Sequence, residues 1–200
     1  MQILKTITLC SLAVCAATGA RSANFDDPTW PCVQRKVDTL SLGLMWPHPV
    51  EEDTTSETAA TQTEVTELAE LLALRRVELE DLRPDVERFA AKHDGDLEML
   101  GLVFAQTFNA LSKRRTRIIG GSGTFSLGQI ELAKKIDETR LEMDKMLQAD
   151  SPDFDRIDKL EEQVDWDQVI HSDRQRSIQY LCETPQLIEK RLFAVAQMLQ

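Results

Sequence analysis

FNALSKRRTRIIGGSGTFSLGQIELAKKIDETRLEMDKM, residues 108–146, is the stretch whose spacing decides the fold. Leu111, Ile118, Phe125, Leu132, Thr139 and Met146 stand seven residues apart. Phe108, Arg115, Ser122, Gln129, Ile136 and Met143 form a companion stripe with the same repeat. Steps alternating between three and four place both sets on one side of an α-helix. The phase does not slip across Gly120-Gly121-Ser122-Gly123, and a loop would have no reason to preserve it. The spacing therefore predicts one helix from Leu97 to about Gln148, roughly 80 Å long. The alternative is a break at the glycines, because three glycines in a helix cost roughly 3 kcal/mol relative to alanine.

Working outward, Ala149 to Pro152 turns the chain. Ser151 can cap, Pro152 suits a first helical position, and Asp153 and Asp155 favour the positive helix end. A second long helix is predicted to about Glu183, with Phe154, Ile157, Leu160, Val164, Ile178 and Leu181 inward. Thr184-Pro185 is expected to cap and open a last helix, 185–199, with Leu187, Ile188, Leu192, Val195 and Leu199 on its inner side. A short turn between two long helices makes an antiparallel hairpin, about 97–183. Upstream, Val65, Leu68, Leu72, Leu79, Leu82, Val86 and Phe89 keep the same alternating steps, with Arg75 at the remaining position. Pro84 predicts two helices or one kinked helix, ending near His93. In Asp94-Gly95-Asp96, Gly95 suits a left-handed stop and Asp96 a new cap.

The N-terminal part differs in kind. Residues 1–20 carry Lys5, an apolar run from Thr6 to Ala17 and small residues before a cut after Ala20, the pattern of a secretory signal. The run falls short of the roughly 20 residues that span a membrane. Val14 stands where a lipoprotein signal wants a small residue before Cys15, which argues against lipidation. Asn24 to Pro49 holds four of the seven prolines and two of the three tryptophans, Trp30 and Trp46. That proline density predicts an extended arm lying on the helical body. Glu51 to Thr63 reads as an acidic surface linker, so residues 21–63 form arm and linker and 64–200 the bundle.

Without the first twenty residues the chain has 22 basic and 34 acidic residues, a net charge of −12. That opposes nucleic acid and anionic membrane surfaces as partners. Cys32 and Cys182 are the cysteines left, and in an oxidising compartment they most simply form a bridge.

Candidate chemistry is sparse. Asp167 and His171 lie four apart on one helix face and could share a metal ion, but the paired Glu-x-x-His motifs of di-iron bundles are missing. A solvated charged face explains the pair better. Gly120 to Gly128 resembles a phosphate cradle only in composition, since no strand signal precedes it. Lys113-Arg114-Arg115 with Arg117 is a basic cluster; the hairpin register predicts neutralisation by Glu183 and Glu189, the alternative being an anion site. Arg115 falls on the seam and, if buried, needs a carboxylate. The glycines could admit a close helix approach or the inserted arm. No nucleophile elbow, Cys-x-x-Cys pair or cofactor motif is present, so nothing here supports an enzyme or a cofactor. Trp30, Arg35, Lys36 and Trp46 would suit a recognition surface; the plainer use of the tryptophans is to pack the arm on its own body.

The run Trp30-Pro-Cys-Val-Gln-Arg-Lys-Val37, with Arg174-Gln-Arg-Ser177, Cys182-Glu-Thr-Pro185 and Arg191-Leu-Phe-Ala194, resembles a group of uncharacterised exported bacterial helical proteins. The resemblance supports pairing Cys32 with Cys182 and carries no catalytic or binding residue across. The reading is an all-α, elongated antiparallel helical bundle or coiled-coil hairpin with a proline-rich extended arm. Its expected role is a non-catalytic interaction or scaffolding protein of the bacterial envelope, periplasmic or secreted, with a protein partner and with self-association open. A metal- or small-ligand-binding bundle comes second, and an envelope enzyme third.

Overall fold

The computed structural model describes residues 27–50 and 58–200, and every regular element among them is helical. The expected signal sequence, 1–20, and most of the expected linker lie outside the described residues. Four α-helices pack against one another: α1 Ala59–Leu72, α2 Leu79–Lys92, α3 Leu97–Leu147 and α4 Phe154–Leu199. A single 3₁₀ turn, Leu42–Leu44, interrupts the N-terminal segment 27–50.

Helix α3 runs 51 residues without a break through Gly120, Gly121 and Gly123. Every position of the two stripes from Phe108 to Met146 is buried or half-buried, so the preserved phase reflects a real packing face. Asp96 caps α3 by accepting from the Glu98 amide, and Asp94 and Gly95 before it both take left-handed φ values. Helix α4 runs back along α3. Arg115 reaches Glu189, Lys135 reaches Asp167 and Arg156 reaches Glu142, so rising numbers on one helix meet falling numbers on the other.

Three boundaries depart from the sequence reading. Helix α1 begins at Ala59, inside the expected linker, because Thr58 accepts the Thr61 amide and supplies a cap. The break between α1 and α2 lies at 73–78 and not at Pro84. Pro84 sits inside α2 on its exposed side, where the carbonyl it leaves without a donor faces water. The real break is held from far away. Arg191 Nε donates to the Leu72 carbonyl at 2.7 Å and its Nη1 to the Val77 carbonyl at 2.9 Å.

The third correction concerns the expected last helix, 185–199, which does not start anew: α4 continues through a buried Pro185. The proline removes one backbone donor. Thr184 Oγ1 donates to the Tyr180 carbonyl at 2.6 Å in the same turn, and Ile188, Leu192 and Val195 are fully buried just beyond. Burial on that scale, roughly 1.5–3 kcal/mol per aliphatic side chain, outweighs the roughly 3 kcal/mol a helical proline costs. Phe154 and Leu187, expected inside, are exposed. Phe154 opens α4 at the far end of the pair, away from α1 and α2.

The main core joins α1, α2, the first four turns of α3 and the last three of α4, with Met45 and Trp46 from the N-terminal segment. Phe104, Leu72, Leu111, Ile188 and Leu192 are its most enclosed members. Beyond Ile118 on α3, and before Ile188 on α4, no residue belongs to it. There the two helices bury Ile136, Ile157, Leu160 and Val164 along their shared seam.

Candidate interaction surface

The N-terminal segment lies along α3 in the opposite direction. Thr29 rests on Gly123, the Asp38 carbonyl is 3.4 Å from Arg115 Nη1, and Trp46 rests on Gly101. These two glycines mark the track. A Cβ on Gly123 would stand 3.2 Å from the Thr29 carbonyl oxygen, and one on Gly101 would stand 3.1 Å from Trp46 Nε1. Gly120 and Gly121 have open space instead, so the close approach expected of the glycine patch is made at Gly123 alone, by the N-terminal segment. The patch itself is helix interior and not a phosphate loop.

Cys32 is bonded to Cys182 with an S–S distance of 2.04 Å, which fastens the segment to α4. At its start Asp27 accepts from the Thr29 hydroxyl and amide and lies 3.7 Å from Lys36. The Thr29 bonds chiefly, helped by Lys36, hold the Asp27 carboxyl below its ordinary value. At the other end Trp46, 1% exposed, stacks on Phe104 at 5.3 Å. Trp46 is therefore core and offers nothing to a partner. Trp30 is half-buried and donates to the Gln34 carbonyl at 2.6 Å. Arg35 is exposed, while Lys36 is engaged by Asp27 and Thr29.

The basic cluster divides. Arg115, 3% exposed, has the carboxylate it requires in Glu189, with Nε 2.7 Å from Oε1. Lys113, Arg114 and Arg117 are exposed and make no ion pair among the described residues, and Glu183 accepts from Gln179 instead. The expected neutralisation covers one cation of the four.

Asp167 and His171 do fall side by side on α4, but Asp167 faces Lys135 at 2.9 Å. The His171 carbonyl accepts from Gln129 Nε2, and its ring borders a shallow groove with Ile136 and Arg140. Among the described residues no group of three metal-ligating side chains gathers anywhere.

Two features were not read from the sequence. Arg191, which holds the α1–α2 turn, has its guanidinium pushed below the usual value by burial, partly offset by Glu78; it lies too far along the chain for any local signal. Trp166 stands 63% exposed on α4 among Asp158, Glu161, Glu162 and Asp165. Its signal was available: a tryptophan two residues past the seam position Val164, in an acidic run, points away from α3. Comparison with protein-family models, curated proteins and solved structures finds no match for this chain. No helix among the described residues is long and apolar enough to cross a membrane.

Proposed function

We propose that this chain is an exported, non-catalytic interaction or scaffolding protein of the bacterial envelope. In this reading α3 and α4 act as a coiled-coil hairpin that presents side chains away from the core, with the proline-rich segment as an extended arm. One observation carries it: Ile130, Leu141, Phe154, Trp166 and Val169 are exposed on the two helices outside the main core. Of these, Trp166 and Val169 share one groove with Asp158, Glu162 and Asp165, and an apolar patch rimmed by polar groups marks an interaction site. Export is supported by the signal-like residues 1–20, by the likeness to exported helical proteins, and by a bridge between cysteines 150 residues apart, which persists in oxidising compartments. The metal reading ranks second because Asp167 is already paired with Lys135.

Site-specific photo-crosslinking tests the proposal. A crosslinker at Trp166 or Val169 is expected to capture a discrete protein in the envelope fraction, while one at exposed Arg75 does not. Equal labelling from all three positions, or a protein found reduced in the cytoplasm, would overturn it.

A further inference from the structure

Two surfaces left without partners carry opposite charge. From Asp153 to Asp173 the chain holds eight acids against two bases. Lys135 and Arg176 take Asp167 and Asp173, and Asp153 caps α4. Asp158, Glu162 and Trp166 follow at steps of four, opposite the buried Ile157, Leu160 and Val164. With Asp165 and Val169 they share one shallow groove. The result is an exposed indole among carboxylates that make no ion pair among the described residues. The second surface is a groove in which Thr39 and Leu40 lie against Asn109, Thr116, Lys113 and Arg117 of α3. Ser112 Oγ borders it, buried and without a hydrogen-bond partner among the described residues.

We infer that further copies of this chain occupy the two surfaces, the Trp166 indole of one entering the Leu40 groove of the next while the carboxylates meet Lys113 and Arg117. The inference rests on the interaction reading and names its partner. Acid face and basic groove are complementary in sign, and the apolar centre of one matches Leu40 in the other. Asn109 and Thr116 on α3, like Asp158 and Asp165 on α4, each follow a buried seam residue, while Arg117 and Trp166 come two residues after Arg115 and Val164, so the two surfaces centre on the outer sides of the two helices and face away from each other. The pairing of Lys135 with Asp167 sets Trp166 level with Ile136, which stands 23 residues, roughly 35 Å, along α3 from Lys113. The contact is therefore heterologous, the acid face of one copy meeting the basic groove of the next, and it repeats along an open row of copies. The net charge of −11 repels the copies at long range, and salt at roughly 0.15 M screens that repulsion beyond about 8 Å while leaving close contacts.

Sedimentation equilibrium of the oxidised chain at that ionic strength tests the pairing through a charge exchange. The chain is expected to show reversible self-association. Glu162→Lys with Asp165→Lys, Lys113→Glu with Arg117→Glu, and Trp166→Ala should each weaken it by about tenfold or more. All five positions are exposed, so circular dichroism should show each variant folded. Mixing the two charge-reversed variants restores complementary contacts, and self-association is expected to return. A wild-type monomer at every concentration reached, or a mixture no tighter than either variant, would overturn the inference. A monomer that still captures an envelope protein through Trp166 would overturn self-pairing and leave the interaction reading standing. Self-association with nothing else captured would keep the pairing and remove the wider scaffolding role.

Discussion

Gly101 and Gly123 are glycines because another part of the chain lies where a side chain would be. Gly120 and Gly121 have no such constraint. Replacing Gly120 or Gly121 by alanine should stabilise by about 1 kcal/mol each, the ordinary helix preference. Leucine at Gly101 or Gly123 should instead displace Trp46 or Thr29 and lower the melting temperature. Thermal melts of the four variants check the contrast, and a fall at all four positions would contradict it. Two carboxyls give the pH dependence. Thr29 holds Asp27, and Lys92 with His93 holds Glu64, below the ordinary values of 3.8 and 4.5. The folded state therefore binds fewer protons there than the unfolded chain, so this stability is present above the ordinary carboxylate range and is lost as pH falls through the lowered values. Melts below about pH 4.5 should show Asp27→Asn and Glu64→Gln less sensitive to acid than the parent.

At the scale of elements, Arg191 decides where α1 ends. Its guanidinium donates to two carbonyls of the turn, and its removal leaves them without those donors. Arg191→Met should destabilise by about 1–3 kcal/mol, the cost of unpaired buried acceptors, read by urea unfolding. Hydrogen exchange should place the loss in 72–78. A loss spread evenly over α4 would contradict this. The same residue shows what the sequence could not reveal. Helix type and the unbroken α3 were legible because hydrophobic period is a local property, carried by Phe108, Ile118, Phe125 and Ile136. The helix end at Ala73 and the continuation of α4 through Pro185 were not, because a distant arginine sets the first, and burial of Ile188, Leu192 and Val195 overrides the proline in the second. On the surface, the register brought Glu183 and Glu189 toward the basic cluster, and of the two Glu189 pairs with Arg115 while Glu183 accepts from Gln179. The exposure of Trp166 required knowing which face α4 turns to α3, and Trp46 was legible only as one of two uses.

For the whole molecule, the Cys32–Cys182 bridge closes a loop of 150 residues, which in the chain-entropy model is worth up to about 4–5 kcal/mol. The Cys32→Ser, Cys182→Ser double variant should lose stability of that order and expose Trp46, seen as a red shift in fluorescence. An unchanged spectrum would mean that Phe104 and Gly101 hold the segment without the bridge. The net charge of −11 opposes non-specific binding to nucleic acid, and the partner proposed here is a protein surface of complementary charge. Both surfaces proposed here depend on α3 being one rod, since only then do the Trp166 face and the Lys113 groove stand a fixed distance apart. Electron spin-echo distances between labels at exposed Gln106 and Lys145 test that directly. An unbroken helix predicts a narrow distribution near 58 Å; a broad or much shorter one would show α3 bending at Gly120–Gly123 and would remove the account.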